Sequence, residues 1–225
     1  DAHTDPRKAG DEAVMIRRRT GCPLVVAPDR VAAAKHLLAM HDCQVIISDD
    51  GLQHYALDRD VEIILIDAER GLGNGRCLPA GPLREAPARL READYVVACG
   101  EGELSLEVAT LPMRLAPTAL VNVMTAERKS VNALRGSTIH AVAGIGNTDR
   151  FFAALRQLGY EIVAHRFPDH HRFDAADLTF ADALPVVMTE KDAVKVRRLE
   201  PGSIHPDFWY LEVDVVMPAD FMDGL

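Results

Sequence analysis

Short apolar stretches alternate with amphipathic stretches along most of the chain. The apolar stretches are rich in Val and Ile and hold few polar residues, which is typical of strands buried on both faces of a parallel sheet. We predict strands at Leu24–Ala27, Gln44–Ser48, Val61–Asp67, Tyr95–Cys99, Ile139–Gly144, Glu161–Phe167 and Pro185–Thr189. The stretches between them predict helices at Asp11–Arg19, Arg30–His41, Asp149–Leu158 and Asp192–Leu199. This alternation predicts an α/β fold in which a mostly parallel sheet has flanking helices.

A proline-containing stretch divides the chain. Leu111–Met124 contains Pro112 and Pro117 and predicts an extended ribbon that joins two lobes. We therefore expect a core over residues 1–110, a connecting ribbon over residues 111–135 and a smaller C-terminal α/β lobe over residues 136–225.

Composition and charge narrow the class of partner. The 225 residues are 48% hydrophobic, enough to bury a core without disulfides. A net charge of −9 argues against an extended nucleic-acid surface, because phosphate backbones are held by clustered Lys and Arg. The basic run Arg17–Arg19 fits a solvated helix face or a contact with a phosphate or lipid head group.

The four scattered cysteines favour reduced thiols in the cytosol, and no apolar stretch reaches the ~18 residues that cross a bilayer.

The strongest chemical signal follows the predicted strand Gln44–Ser48. The run DDGLQH at residues 49–54 places two carboxylates at the end of this strand, followed by a glycine turn. Ligands of open α/β sheets bind beyond the carboxyl ends of the strands, where carboxylates can hold Mg²⁺. Because consecutive strand residues point to opposite faces, one acid would bind metal while the other orients a water or caps a turn. A capping role for both acids is the structural alternative.

Two further runs offer groups that accept a proton. Asp11 and Glu12 begin a predicted helix, where the helix dipole alone favours carboxylates, or where Asp11 acts as a general base toward a sugar hydroxyl. The run FPDHHRF at residues 167–173 follows a predicted strand. Its adjacent His170 and His171 can ligate a metal or orient a base.

A long loop rich in glycine and proline, residues 71–85, suits an anionic ligand. Glycine allows close backbone approach, and Arg76 and Arg84 offer bidentate contacts to phosphate. A surface connection without a ligand is the alternative.

Two other turns at predicted strand ends carry weaker signals. The run AGIGN at residues 143–147 lacks the third glycine of a dinucleotide fingerprint, because residue 149 is Asp. We therefore expect a tight turn into a helix there and no NAD. The run TEKD at residues 189–192 fits a site or a helix cap.

Taken in order, these runs resemble the tetraacyldisaccharide 4'-kinase family of lipid A biosynthesis. The matching runs cover nearly the whole chain: GDE at 10–12, DR at 29–30, SDDGLQHYAL at 48–57, RGLGNGRCLPAGPLRE at 70–85, AGIGN at 143–147, FPDHHRF at 167–173 and TEKDAVK at 189–195. The resemblance implies a P-loop-kinase-like fold at the cytoplasmic face of the bacterial inner membrane. It also implies transfer of the γ-phosphate of ATP, with Mg²⁺, to the 4'-hydroxyl of a tetraacyldisaccharide 1-phosphate, giving lipid IVA.

The resemblance implies roles for single residues as well. Asp11 is expected to be the catalytic base, with His170 or His171 as its partner, and Asp50 to bind the metal ion. The residues expected on the nucleotide side are Asp49, Gln53, Arg84 and Glu85. Those expected on the side of the lipid substrate are Arg30, His54, Asn74 and Arg76.

The chain departs from the family pattern in three places. The family's Walker A loop, G-x-x-x-x-G-K-[ST], does not occur in these 225 residues, and neither does the N-terminal helix that contacts the membrane. Because that loop cradles the β- and γ-phosphates, we expect this stretch to belong to a longer protein and, alone, to bind ATP poorly and turn over little. Ala13 and Thr148 stand where the family usually has Pro, and both are tolerable in turns.

Two other functions fit the same residues. A metal-dependent phosphoesterase would build a two-metal site from Asp49, Asp50, His54, Asp169, His170 and His171. Tightly held Mn²⁺ and hydrolysis of a phosphodiester would favour it. A truncated, non-catalytic α/β binding domain would be favoured if the natural gene also lacks a P-loop.

Overall fold

The computed structural model describes residue 4 and residues 6–102, 104–199, 207–219 and 221. Its helices are α1 (Pro6–Ala9), α2 (Asp11–Thr20), α3 (Arg30–Met40), α4 (Thr148–Gln157) and α5 (Glu190–Val196), with 3-10 helices at Pro87–Glu92 and Ala176–Leu178. Its strands are β1 (Ile63–Asp67), β2 (Tyr95–Cys99), β3 (Leu111–Asn122), β4 (Arg128–Lys129), β5 (Thr138–Ala143), β6 (Glu161–Arg166), β7 (Val186–Thr189) and β8 (Phe208–Val216).

The chain divides into two units. The larger unit contains residues 1–26 and 117–213, and the smaller unit contains residues 27–116 and 214–225. Helix α2 therefore groups with the C-terminal half of the chain, where it contacts α5.

The larger unit is built on a mostly parallel sheet whose central strands, β5 and β7, are buried on both faces. β6, β5, β7 and β8 are neighbours in that order and all pair in parallel, while β4 pairs antiparallel with β3. Alternate strand residues enter two separate cores, as the period of two requires. Val186 and Met188 pack into one core with α5, and Val187 packs into the other with Phe152 of α4. This two-sided burial explains why β5 and β7 have mostly apolar sequences.

The smaller unit has a modest core. β1 pairs in parallel with β2, and β2 pairs in parallel with the start of β3. Its buried cluster contains Ile66, Leu90 and Val96, with partly buried apolar residues around them. Far less apolar surface is shielded here than in the larger unit.

The prediction of an α/β fold with a mostly parallel sheet and flanking helices is confirmed. Five of the seven predicted strands are present with bounds that shift by two residues or fewer, and the stretch predicted as an extended ribbon forms β3. Strand β8 was not predicted. No helix in the described part of the chain is long and apolar enough to cross a membrane.

Two predicted strands are wrong. Residues 24–27 and 44–48 have no strand structure. Val45 and Ile47 are 77% and 90% exposed, so this apolar run is not covered by other described residues. A strand of this composition needs a neighbour on each side to satisfy its backbone groups and bury its side chains.

Candidate functional site

The larger unit brings Asp11 next to His170. Asp11 is the first residue of α2 and follows Gly10, whose φ of 89° turns the chain into the helix. His170 lies in the loop after β6, with its Nδ1 3.7 Å from Asp11 Oδ2. The Asp11 side chain is 14% exposed, whereas that of His170 is 67% exposed. This distance is longer than a hydrogen bond, and catalytic pairs are often this far apart before the substrate binds.

The neighbouring His171 is held by other contacts. Its Nε2 lies 2.8 Å from Asp177 Oδ2, and its ring stacks on Phe167 with centroids 4.6 Å apart. The ring also meets Phe173 edge-on at 4.9 Å. These contacts fix His171 against the core. His170 is therefore the histidine that approaches Asp11 on α2.

Lys191, in the first turn of α5, completes a ring of charges around this pair. Its Nζ lies 3.0 Å from Glu12 Oε1 and 3.7 Å from Asp169 Oδ1. Burial opposes the charged form, but the carboxylates of Glu12, Asp169 and Asp11 outweigh it and raise the pKa of Lys191. The side chain, only 16% exposed, therefore stays a cation. Sequence reasoning missed this residue as a site residue, although the position of TEKD at a strand end was a signal.

A buried clamp supports the loop that carries His170. Asp192, which is fully buried, accepts hydrogen bonds from the Gly144 N–H at 2.9 Å and the Thr189 hydroxyl at 2.7 Å. Its other oxygen lies 2.6 Å from Lys195 Nζ. A Cβ on Gly144 would stand 3.3 Å from Asp192, from the His171 Cβ and from the Pro168 carbonyl oxygen. Gly144 therefore lets the loop over residues 168–171 pack directly on the turn after β5.

In the smaller unit, Asp49 and Asp50 lie in a turn. The Arg30 guanidinium donates to the Asp49 carbonyl oxygen at 3.3 Å, and Arg84 Nη1 lies 3.7 Å from Asp50 Oδ1. The Asp50 side chain is 76% exposed, so its oxygens are open to solvent. The following glycine, Gly51, suits this turn because a Cβ there would stand 3.1 Å from the Ser48 Cβ and 3.2 Å from the Ser48 carbonyl oxygen.

Asp50 and His170 share an unusual backbone. Their φ angles are 49° and 57°, and among the described non-glycine residues only Ala126 also has a positive φ. Non-glycine residues in this region cost free energy and persist where their surroundings hold them, most often at binding and active sites. The shared strain marks both residues as candidates for function.

Glu85 is the centre of a hydrogen-bond network in the smaller unit. It accepts from Gln53 Nε2 at 2.7 Å and from the Tyr55 hydroxyl at 2.5 Å. These two hydrogen bonds lower the pKa of Glu85, and the carboxylate in turn raises the pKa of Tyr55. Arg84 Nη1 lies 3.3 Å from Gln53 Oε1, which links the network to Asp50. Tyr55 was not predicted as a site residue, although it falls inside the run SDDGLQHYAL.

The residues predicted on the substrate side have mixed environments. Asn74 braces its own loop, since its Nδ2 donates to the Ala80 carbonyl at 2.9 Å and its Oδ1 accepts from the Arg76 N–H at 3.1 Å. Arg76 is exposed. His54 is half-buried, and its backbone takes part in the turns that follow Gly51. The structure therefore gives Asn74 a bracing contact and leaves the Arg76 side chain open to solvent.

The smaller unit suits a magnesium ion that arrives with a nucleotide. Within the described residues, no three side chains from His, Cys, Asp and Glu form a group that could hold a metal. Mg²⁺ keeps several waters and is usually bound by one or two carboxylates together with the substrate's phosphates. The exposed Asp50 carboxylate, with Asp49 beside it, fits that requirement better than a metal cage made of protein side chains alone.

A second histidine cluster lies elsewhere in the larger unit. His140 of β5 contacts His165 Nε2 through its Nδ1 at 2.9 Å and Asp182 Oδ1 through its Nε2 at 2.8 Å. Phe180 stacks on the His140 ring at 3.8 Å. Burial and the neighbouring His140 lower the pKa of His165, and the hydrogen bond from His140 lowers the pKa of Asp182.

Comparison with known proteins identifies relatives along the whole chain. The family described as LpxK, tetraacyldisaccharide-1-P 4'-kinase, matches residues 1–225. A tetraacyldisaccharide 4'-kinase of Nitrosococcus oceani is 49% identical over 221 residues, which are 97% of this chain and 62% of that protein. One of Pseudomonas putida is 52% identical over 208 residues, which are 92% of this chain and 61% of that protein. The chain thus spans less than two thirds of the length of these relatives.

A solved structure has the same fold. A crystal structure described as the apo form of LpxK from Aquifex aeolicus in complex with ATP superposes with a TM-score of 0.78 at 26% sequence identity. The match covers 98% of this chain and 68% of that one. The α/β arrangement is therefore that of a protein crystallised with ATP.

Proposed function

Because the chain belongs to the tetraacyldisaccharide-1-P 4'-kinase family, we propose that the protein transfers the γ-phosphoryl group of ATP to the 4'-hydroxyl of a tetraacyldisaccharide 1-phosphate. The product is lipid IVA, a precursor of lipid A. The protein works at the cytoplasmic face of the bacterial inner membrane, where this acylated substrate resides. The names of the relatives and the match along the whole chain support the proposal.

In this proposal Asp11 is the general base. Its carboxylate takes the proton of the 4'-hydroxyl as the phosphoryl group arrives, and His170 orients the carboxylate. The observation that carries the assignment is the 3.7 Å approach of His170 Nδ1 to a mostly shielded Asp11 side chain. A positioned base of this kind contributes roughly 10²–10⁴-fold to a rate.

The acidic turn of the smaller unit serves the nucleotide. Mg²⁺, when bound with ATP, neutralises charge on the phosphates. Asp50 is the residue proposed to hold it, with Asp49 beside it, and the exposed position of Asp50 supports this choice. Arg84, Gln53 and Glu85 form a linked network beside Asp50, and we propose that this network contacts the nucleotide.

We place Arg30, His54, Asn74 and Arg76 on the side of the lipid substrate. Arg76 has an exposed guanidinium that is suited to a phosphate, whereas Asn74 acts by keeping the loop over residues 71–85 in shape. Arg30 acts through the turn that it holds at Asp49.

We propose that the cradle for the β- and γ-phosphates lies outside these 225 residues. No Walker A sequence occurs in residues 1–225, and a kinase of this class needs one. The full-length protein should therefore bind Mg²⁺-ATP far more tightly than residues 1–225 alone, as isothermal titration would measure. Equal affinity of the two would contradict this part of the proposal.

The base assignment is tested by replacing Asp11 in the full-length protein. Asp11→Ala should lower kcat by about 10²–10⁴-fold with the fold intact by circular dichroism. Asp149→Asn is a control, because Asp149 is an exposed acid in the first turn of another helix and pairs with the surface residue Arg166. A loss of less than about threefold in Asp11→Ala would remove the residue from this role.

The phosphoesterase alternative is not favoured. Its six ligands do not form a metal-binding group among the described residues, and His171 is engaged by Asp177. A non-catalytic binding domain is not favoured either, since the relatives that match along the chain are named as kinases.

A further inference from the structure

Lys191 is a mostly buried cation whose role the proposed function leaves open. It lies in the first turn of α5, directly after Thr189, whose hydroxyl accepts from the Asp192 N–H and caps the helix. β7 ends at Thr189 and is fully buried, so the start of α5 is rigidly placed. The ammonium group therefore projects from a fixed base toward the loop after β6 and toward α2.

The contacts of Lys191 form a chain that leads to His170. Lys191 Nζ lies 3.7 Å from Asp169 Oδ1, and the same oxygen accepts a hydrogen bond from the His170 N–H at 2.9 Å. The other oxygen of Asp169 lies 3.8 Å from His170 Nε2. Asp169 thus contacts both the backbone and the ring of His170, and Lys191 approaches the oxygen that accepts the hydrogen bond from the His170 backbone.

His170 needs such support. Its φ of 57° is a strained conformation for a residue with a Cβ, and its ring is 67% exposed, so packing alone does not hold it. The Asp169 hydrogen bond to the His170 N–H stabilises the strained turn. Without it, the loop would relax and the ring would leave Asp11.

The charges around Asp11 and His170 are a second reason why the loop that carries His170 needs support. Asp11, Glu12 and Asp169 are three carboxylates in one small region, and His170 and Lys191 are the basic groups that contact them. Removal of the ammonium would leave the acids to repel one another at short range in a partly shielded setting. The repulsion would push the loop over residues 168–171 away from α2.

We propose that Lys191 is a positioning residue for the phosphoryl transfer: it orients Asp169, which fixes His170 against Asp11, and it holds α2 through Glu12. This inference rests on the proposed function in that Asp11 is taken as the base. It assigns Lys191 no contact with the substrate or with the transferred group.

The kinetic test uses the full-length protein with Lys191→Met and Lys191→Arg. The methionine variant should lower kcat by about 10- to 100-fold, because small displacements of catalytic groups have effects of this order. The KM for ATP should change by less than about threefold, and arginine should restore most of kcat. Lys129→Met, a replacement at an exposed lysine of β4, should leave kcat unchanged.

A double-mutant cycle tests whether Lys191 acts through His170. In a His170→Ala background, Lys191→Met should lower kcat by less than about threefold further, because the group it positions is already gone. If Lys191→Met lowers kcat in the His170→Ala background by as much as it does alone, the inference is overturned. An unchanged kcat in the single variant, or a rise in the KM for ATP in place of the fall in kcat, would overturn it as well.

A structural readout separates this inference from the proposed function. The imidazole ¹H–¹³C signals of His170 should shift in Lys191→Met at constant pH, while those of His140 should not. If these signals move but the wild-type protein phosphorylates no disaccharide, the proposed function fails and the positioning contact stands. If the wild-type protein is an active kinase and neither the signals nor kcat respond, the positioning role fails alone.

Discussion

Breaking the buried clamp at Asp192 should destabilise the larger unit strongly. Asp192 is fully buried, its partner Lys195 has a side chain only 9% exposed, and the two lie 2.6 Å apart. Asp192→Ala would leave the Gly144 N–H without its acceptor, and would leave the Lys195 ammonium without its carboxylate partner and with a long 3.4 Å contact to the Gly144 carbonyl oxygen. Removing one partner of a buried ion pair costs about 3–5 kcal/mol, and the lost hydrogen bonds are largely contained in that figure because they involve the same carboxylate.

Urea denaturation followed by fluorescence measures this effect. Trp209 is the only tryptophan of the 225 residues, and it is buried in β8 of the larger unit, so its emission reports on the unit that contains the clamp. Asp192→Ala should lower the free energy of unfolding by about 3–5 kcal/mol. Asp192→Ala with Lys195→Met should be less destabilised than Asp192→Ala alone, since no buried charge is then left unpaired. A loss below about 1 kcal/mol in the single variant would refute the reasoning.

The remaining predictions concern the histidines and the acidic turn. Burial and the neighbouring His140 lower the pKa of His165 below 6.5, so the unfolded state binds more protons and stability should fall as the pH drops below about 6.5. In His165→Asn, the urea midpoint should therefore change less between pH 7 and pH 5 than it does in the wild-type protein. An equal change in the two proteins would contradict this cause. His171→Ala should lower the free energy of unfolding by about 1–3 kcal/mol while kcat changes less than threefold, the reverse of the pattern expected for a catalytic histidine. Gly51→Ala should weaken Mg²⁺-ATP binding by about tenfold or more in calorimetry, since its Cβ would collide with Ser48 and displace the turn; unchanged affinity would show that the turn is not used.

The fold was predictable where the sequence is continuously apolar and its neighbours lie in the same unit. β5 and β7 could be predicted because burial on both faces favours apolar residues at nearly every position. The run at 44–48 has the same composition but lies exposed without a strand partner. Composition reports the preference of a segment, whereas pairing depends on what lies beside it in space.

The candidate site was predictable in its residue types and less so in its pairings. Two adjacent histidines in FPDHHRF have equal chemistry in the sequence, and only the packing of His171 against Phe167 and Asp177 distinguishes them. Lys191 was not singled out because its partners come from distant parts of the chain. Asp11 was accessible from the sequence, since Gly10 and the start of an amphipathic helix both mark its position.

The most direct test of the proposed kinase activity is identification of the phosphorylated product. The full-length protein would be incubated with Mg²⁺-ATP and tetraacyldisaccharide 1-phosphate, and the lipid analysed by ³¹P NMR and mass spectrometry. We predict one new phosphate monoester on the 4'-oxygen for each ATP consumed, and loss of that signal in Asp11→Asn. ATP consumption without a 4'-phosphate, or an undiminished 4'-phosphate in Asp11→Asn, would contradict the account.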